Sequence, residues 1–385
     1  MKILVPTLSY PPFEGAASAV AWRVSRELAA MGHEVVVVAP SCPGFDALNQ
    51  AKLLRIMWYP QGGWRLYRGL CAAWPEVKSS DLILGIEGVY GGLLGWLCAR
   101  FHDKPYITFA QAHEIPVLPH QFPAWHGLPP WRALLRAIHS RAKAVIALNT
   151  VARDRLIALG VPSARIRVMP PAADIVAPWP PEAVAAIRHK FVLDTERVIL
   201  AAGRFLWYEG QRTLVRAMPR VIRRFPDAQA VLTGRGPCLY DAIHEAHAAG
   251  VRDHVLFPGR LSGKDIEGLY EACAVFALPI TADKRGREGE CAPAFVQAHA
   301  HGKPVVAGRS PTVLDVVVDG ENGLLVEPEN PEALAEALIA LLADPDRAQR
   351  LGQNGKQRVE SELNWTRFAQ RVLDAAAPGA AENSG

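Results

Sequence analysis

Three stretches of the 385-residue sequence carry residue types suited to an anionic, oxygen-rich ligand. The first is Ser9-Tyr10-Pro11-Pro12-Phe13-Glu14-Gly15-Ala16. Gly15 at a helix start lets a ligand approach the backbone, and the unpaired N–H groups of a first helical turn attract anionic oxygens. A glycine there serves equally as a turn residue, and the dinucleotide fingerprint Gly-x-Gly-x-x-Gly is absent. The second comprises Gly203-Arg204 and Gly234-Arg235-Gly236-Pro237, each following a short apolar run. A guanidinium offers several fixed donors and keeps its charge, so Arg204 suits either a diphosphate or an interdomain salt bridge. The third is the polar segment from Thr281 to Cys291, in which Glu288 and Glu290 precede the apolar stretch Ala294 to His301. Carboxylates placed there accept sugar hydroxyl hydrogen bonds or complement the dipole of the following helix.

These loops need strands and helices to position them. Lys2 to Leu8 and the Val-rich Glu34 to Ala39 read as strands. Between them Ala19, Val20, Val24, Leu28 and Met31 share one helical face that ends at Gly32. The rhythm recurs at Asp81 to Gly85, Tyr106 to Phe109 and Ala144 to Leu148, then at Val198 to Ala202, Ala230 to Thr233, His254 to Pro258, Ala274 to Leu278, Pro304 to Ala307 and Gly323 to Val326. Such alternation predicts α/β architecture, with parallel sheets covered by helices on both faces and ligands beyond the carboxyl ends of the strands. Prolines at 170, 171, 178, 180 and 181 interrupt the pattern. The expected domains are therefore 1–175 and 191–363 joined by a linker at 176–190. A helix at 364–377 returns to the first domain, and 378–385 form a frayed tail.

A chain of this length exceeds the roughly 250 to 300 residues over which one core keeps growing, which supports two domains. Half its residues are apolar and 21% are charged, which excludes disordered and fibrous classes. No uncharged apolar run approaches the roughly 18 residues of a spanning helix, and the first residues are too briefly apolar for a signal peptide, so a cytoplasmic location is expected. The six cysteines lack metal-ligand spacing and read as reduced core residues. Residues 1–190 hold 20 Lys and Arg against 12 Asp and Glu. That half favours an acidic partner or simply presents a solvated basic surface; no nucleic-acid partner is expected. Ile56 to Trp74 interleaves Trp58, Trp64 and Trp74 with Arg65 and Arg68, and Trp131, Arg132 and Arg136 follow further on. Aromatic rings beside cations suit the headgroup boundary of an anionic membrane, on its inner face; the same residues also suit a core, an acceptor cleft or an exposed helix face.

Taken in order, SYPPFEG, LAAMGHEVVVVAP, VIALNTVARDRLIALGVPSARIRVMPPAAD, LAAGRF, VLTGRGP, VLFPGRLSGKDIEGLYEACAVFALP, HGKPVVAG and DGENGLLVEPENPEALAEALIALLADP resemble glycosyltransferase family 4. The resemblance runs nearly end to end and includes the family's phosphatidylinositol mannosyltransferase-like members. It implies the GT-B fold, two Rossmann-like domains facing a central cleft. It also implies a nucleotide-sugar donor, UDP- or GDP-linked, held mainly by the second domain. A glycan or lipid-linked acceptor is held mainly by the first, and the sugar is transferred with retention, with no metal or other cofactor. Asp344-Pro345-Asp346, the one Asp-x-Asp pattern that could be taken for a metal motif, reads as a turn between helices.

Five positions depart from the family pattern. The first-loop glycine pair reads Gly15-Ala16. The segment Thr-His-Gly-His-Glu reads Ala110-Gln111-Ala112-His113-Glu114, so Gln111 stands where the active-site histidine is usual and His113 is its neighbour. The diphosphate-binding arginine and lysine read Arg204 and Glu209. The paired glutamates read Glu288 or Glu290 followed by Gln297. The last glycine-rich turn reads Arg309-Ser310-Pro311-Thr312, where Arg309 offers a replacement cation. The resemblance gives Arg204 the leaving diphosphate, Glu288 the sugar hydroxyls and Gln297 the ribose, with Gln111 or His113 near the transferred sugar. A second reading follows from the changes at Gln111, Glu209 and Gln297: a silent relative acting as a binding or partner subunit.

Overall fold

The computed structural model describes residues 1–11, 15–41, 54–59, 64–115, 129–281 and 292–377. The chain forms two compact units, Met1–Pro170 with Trp365–Gly385, and Pro171–Asn364.

The first unit runs β1 (Lys2–Pro6), α1 (Ala16–Ala30), β2 (Glu34–Pro40), β3 (Leu54–Tyr59), α2 (Arg65–Val77), β4 (Leu82–Gly85), α3 (Tyr90–His102), β5 (Tyr106–Ala110), α4 (Pro129–Arg141), β6 (Ala144–Ala147), α5 (Thr150–Leu159) and β7 (Ile166–Val168). Its seven parallel strands lie in the order β3-β2-β1-β4-β5-β6-β7. Strands buried on both faces must be apolar throughout. Val35, Val36, Val37 and Val38 accordingly have no exposure at all. Right-handed crossovers place α2, α3, α4 and α5 side by side on one face of this sheet. The order reverses between β1 and β4, which opens a crevice above their carboxyl ends.

The stretch Ile56 to Trp74, read as either membrane boundary or core, is divided: its start belongs to β3 and its end to α2. Leu54 to Tyr59 pair in parallel with Val35 to Pro40, and Leu54 and Ile56 are buried. The exposed Arg55 and the aromatic letters ending LRIMWY disguise an edge strand in which Leu54 and Ile56 are buried and Met57 packs on the core from the other face. The segment 176–190, expected as a linker, contains most of a helix, α6 (Pro181–Phe191), that lies in the second unit and buries Ile187 there. Its first-turn Pro181 and Glu182 suit a helix start, so prolines that read as linker are capping residues.

The second unit continues with β8 (Val198–Ala202), α7 (Gln211–Arg224), β9 (Gln229–Thr233), α8 (Leu239–Ala248), β10 (Val255–Gly259), α9 (Lys264–Ala272), β11 (Val275–Leu278), α10 (Ala292–Ala300), β12 (Val305–Gly308), α11 (Pro311–Leu314), β13 (Gly323–Val326), α12 (Pro331–Ala343) and α13 (Pro345–Ser361). Its six parallel strands lie in the order β10-β9-β8-β11-β12-β13, reversing between β8 and β11. Asp344 caps α13 by accepting from the Arg347 N–H at 2.9 Å, a structural role for that aspartate. The last helix, α14 (Trp365–Ala376), belongs to the first unit. There it packs on α1, and Phe368 stacks on Phe109 at 6.4 Å between ring centroids.

Candidate functional site

The loops at the carboxyl edge of the second sheet are bound to one another through backbone. Gly203 N–H donates to Thr233 O at 3.1 Å and Phe205 N–H to Arg235 O at 2.9 Å, which fixes the loop after β8 against the loop after β9. Packing is so close that a methyl group at Gly234, whose φ is +146°, would lie 1.7 Å from the Gly203 carbonyl oxygen. Gly236 sits likewise on the Phe205 backbone, and Gly210 on the Pro279 carbonyl. Only glycine fits such contacts, and the result is a backbone-lined ledge beside the switch point between β8 and β11.

Arg204 rises from this ledge with its side chain 66% exposed. Its Nε lies 3.5 Å from Glu209 Oε1, and its carbonyl accepts from Gln211 Nε2 at 2.9 Å. The Glu209 side chain is 1% exposed, with Oε2 2.6 Å from where a Gly203 side chain would begin. The residue in the lysine position is thus a buried carboxylate beneath the arginine. It cannot bind an anion, but it can hold the Arg204 guanidinium in place.

The other expected donor-site residues are more dispersed. Gly15 caps α1 with φ +141° and is exposed, with the backbone of Ala16 next in the helix. Arg309 N–H bonds Val326 O at 2.8 Å, while its guanidinium is paired with Asp319 at 3.0 Å. The pair is half exposed at the β13 edge, 51% and 44%. Ser310 is buried at the start of α11, 3.2 Å from Thr312 Oγ1. Gln297 projects from α10 toward α9, its Nε2 donating to Glu267 Oε2 at 2.9 Å. Glu288 and Glu290 lie outside the described residues.

Gln297 belongs to a polar cluster that sequence reasoning missed. The His301 ring, without exposure, contacts Glu267 through Nε2 and Glu271 through Nδ1, both at 2.8 Å, and stacks on Tyr270. Burial alone would lower its pKa, but the hydrogen bonds its ring donates to the two carboxylates outweigh that and raise it. Glu267 and Glu271 fall one helical turn apart on α9, and that spacing is the signal that could have paired them with a histidine.

At the carboxyl edge of the first sheet, Gln111 is buried and follows β5 directly. Its N–H and that of Gly88 both donate to Glu114 Oε2 at 3.0 Å, which ties the loop after β5 to the loop after β4. The His113 side chain lies outside the described residues. Glu87, which the sequence reading passed over, is buried with φ +73° and accepts from Leu8 N–H at 3.2 Å across the switch point. A strand-end carboxylate at residue 87 was a usable signal. His139 had none: it is fully buried on α4 against Thr108 Oγ1 at 3.0 Å, and burial drives its pKa down to about 4.

Of the aromatic and basic residues, Trp64 is 82% and Tyr67 64% exposed, whereas Trp74 packs edge-on against Phe101. Arg68 lies on α2, and Arg132 and Arg136 lie on α4. The side chains of Trp58 and Arg65 are outside the described residues. No helix among the described residues is long and apolar enough to cross a membrane, and none of their His, Cys, Asp and Glu side chains form a group of three that could hold a metal ion.

The model for Glycosyltransferase Family 4 matches residues 17–176, and the model for Glycosyl transferases group 1 matches residues 184–358. The GDP-mannose-dependent alpha-(1-6)-phosphatidylinositol monomannoside mannosyltransferase of Mycolicibacterium smegmatis is 29% identical over 97% of both chains. A GDP-mannose-dependent monoacylated alpha-(1-6)-phosphatidylinositol monomannoside mannosyltransferase of Corynebacterium glutamicum is 31% identical over 70% of this chain and 68% of its own. Among solved structures, Anabaena HepE with UDP and glucose superposes with a TM-score of 0.78 at 19% identity, covering 98% of this chain and 99% of that one. The two doubly wound units are those of a GT-B glycosyltransferase. The chain belongs to glycosyltransferase family 4.

Proposed function

We propose that this protein is a retaining, metal-independent hexosyltransferase that moves a sugar from a nucleotide-sugar to a lipid-linked or glycan acceptor, working at the inner face of a membrane. The observation that carries the proposal is the glycine-lined ledge with Arg204 standing over Glu209. Departure of the nucleoside diphosphate builds negative charge on its phosphate oxygens. Donors already fixed at that position are usually the largest single contribution to rate. Backbone that only glycine permits brings N–H groups close to the diphosphate, and Arg204 adds a permanent cation. In this reading Gln297 Oε1 accepts a ribose hydroxyl while its amide nitrogen stays on Glu267, and Glu288 or Glu290 takes the sugar hydroxyls. Gln111, fixed through Glu114, lies beside the transferred sugar. A glutamine cannot serve as a base, and none is required where the leaving phosphate accepts the acceptor's proton. The full-length relatives named as GDP-mannose-dependent favour GDP-mannose over a UDP-sugar, and their phosphatidylinositol mannoside acceptors favour a lipid.

A specific observation keeps the silent-relative reading in play: a buried carboxylate occupies the lysine position at residue 209. Calorimetry with GDP and UDP, followed by a donor-consumption assay, separates the two. Nucleotide binding with turnover supports the transferase; absence of any nucleotide binding supports the silent relative.

A further inference from the structure

We infer that His301 is a positioning residue of the nucleotide site, holding the Gln297 amide through Glu267 so that its oxygen meets the ribose. The inference rests on the proposed function for the ribose role of Gln297 and adds the groups that set its orientation. α9 and α10 follow β10 and β11, so both begin at the carboxyl edge of the second sheet. Between them the side chains make contact in the order Gln297, Glu267, His301, Glu271. Gln297 Nε2 and His301 Nε2 both reach Glu267 Oε2, at 2.9 and 2.8 Å, and stand 3.5 Å from each other. Two groups that share one carboxylate oxygen must both donate to it. That decides which end of the amide faces α9. The nitrogen is turned to Glu267, and the oxygen, without a hydrogen-bond partner among the described residues, is left for a hydroxyl donor.

His301 keeps this arrangement in one state. Each ring nitrogen faces a carboxylate, so each carries a hydrogen and the ring is an imidazolium. The ring is buried and stacked on Tyr270 at 5.4 Å between centroids, and the His301 backbone N–H donates to Gln297 O at 3.2 Å. A ring held on so many sides fixes the Glu267 carboxylate, whose side chain is 37% exposed, and Glu267 in turn fixes the amide. Without the ring, Glu267 is free to turn to water, and the amide is free to rotate by a half-turn and offer its nitrogen to the ribose instead. The same cluster accounts for an amide at this position: a glutamate at residue 297 would set a second carboxylate against Glu267, and like charges so close disfavour each other.

The test is calorimetry of the full chain with GDP and 2′,3′-dideoxy-GDP, and with UDP and 2′,3′-dideoxy-UDP, with thermal melts to confirm that each variant folds. The wild type is expected to bind the nucleotide that carries ribose hydroxyls about tenfold more tightly than its dideoxy form, the worth of one hydrogen bond. In His301→Gln that ratio should fall to about twofold or less, through weaker binding of the hydroxylated nucleotide alone, with the dideoxy affinity unchanged. In a Gln297→Ala background, adding His301→Gln should change neither affinity, because the histidine acts through the missing amide. Glu267→Ala breaks the same link from a partly exposed position, without touching a buried ring, and should give the same fall in the ratio. An unchanged ratio in both His301→Gln and Glu267→Ala, an equal loss for both nucleotide forms, or a further fall in the double variant overturns the inference. A wild type that binds both forms equally overturns it and leaves the transferase reading standing; a wild type that binds neither GDP nor UDP overturns both.

Discussion

At the scale of single residues, Arg204 and Glu209 have to be understood as a pair. The exposed guanidinium stands at the ledge proposed for the diphosphate, and the carboxylate beneath it is shut away from water, where a charge depends on its neighbours. Arg204→Ala is expected to lower kcat at least tenfold, about 1.4 kcal/mol of transition-state stabilisation, and also to lower Tm by stripping a cation from a buried acid. Adding Glu209→Gln should recover Tm without recovering kcat; a double variant that regains turnover would show that the carboxylate, and not loss of the arginine, caused the defect. Histidines give a second prediction. His139 and His299 are buried neutral, each with its pKa lowered to about 4, so the unfolded chain takes up their protons first and stability falls as pH drops from about 6.5 toward 4. His301 has the opposite sign: its raised pKa contributes stability that is complete below about 6.5 and is lost as pH rises through the folded value. Melting curves of His301→Gln should therefore lose the decline above pH 6.5 and keep the decline below it; an unchanged upper limb contradicts the assignment. Arg204 was legible because strand-end arginines follow an apolar run. The Arg309–Asp319 pair was not, because the two are ten residues apart and meet only beside the β12–β13 pairing.

At the scale of elements, the ledge depends on loops that touch through backbone. Gly234→Ala would force a methyl group to within 1.7 Å of the Gly203 carbonyl at a φ of +146°. The loops after β8 and β9 would have to part, with nucleotide affinity falling at least tenfold and Tm falling with it, as calorimetry and thermal melts would register. Wild-type affinity in a folded Gly234→Ala protein would place the nucleotide elsewhere. Most strands were readable because they are buried on both faces and hence continuously apolar, as in EVVVVAP and VILAA. β3 escaped because an edge strand carries Arg55 outward, and β7 because it has only three residues. α6 was hidden by the prolines that begin it.

At the scale of the whole molecule, each unit has its own core, and α14 is the one distant segment the first unit needs. Trp365, Phe368, Ala369, Val372 and Ala375 are buried there, with Thr366 Oγ1 donating to Glu27 at 2.8 Å. Truncation after Asn364 should therefore speed hydrogen exchange in β5, β6 and α1 and leave β8 to β12 as protected as before; uniform loss across both units would contradict that division. The two-unit plan was legible from the repeated strand and helix rhythm, whereas the return of the chain at Trp365 depends on a surface that only the folded first unit presents. The proposed reaction is transfer from a nucleotide-sugar with retention. Its most direct test is proton NMR of the protein with GDP-mannose and with UDP-glucose, each with a phosphatidylinositol mannoside acceptor and excess chelator. The expected result is release of nucleoside diphosphate and a new anomeric signal of the donor's own configuration. An inverted anomeric signal, dependence on added divalent metal, or no consumption of either donor would contradict it.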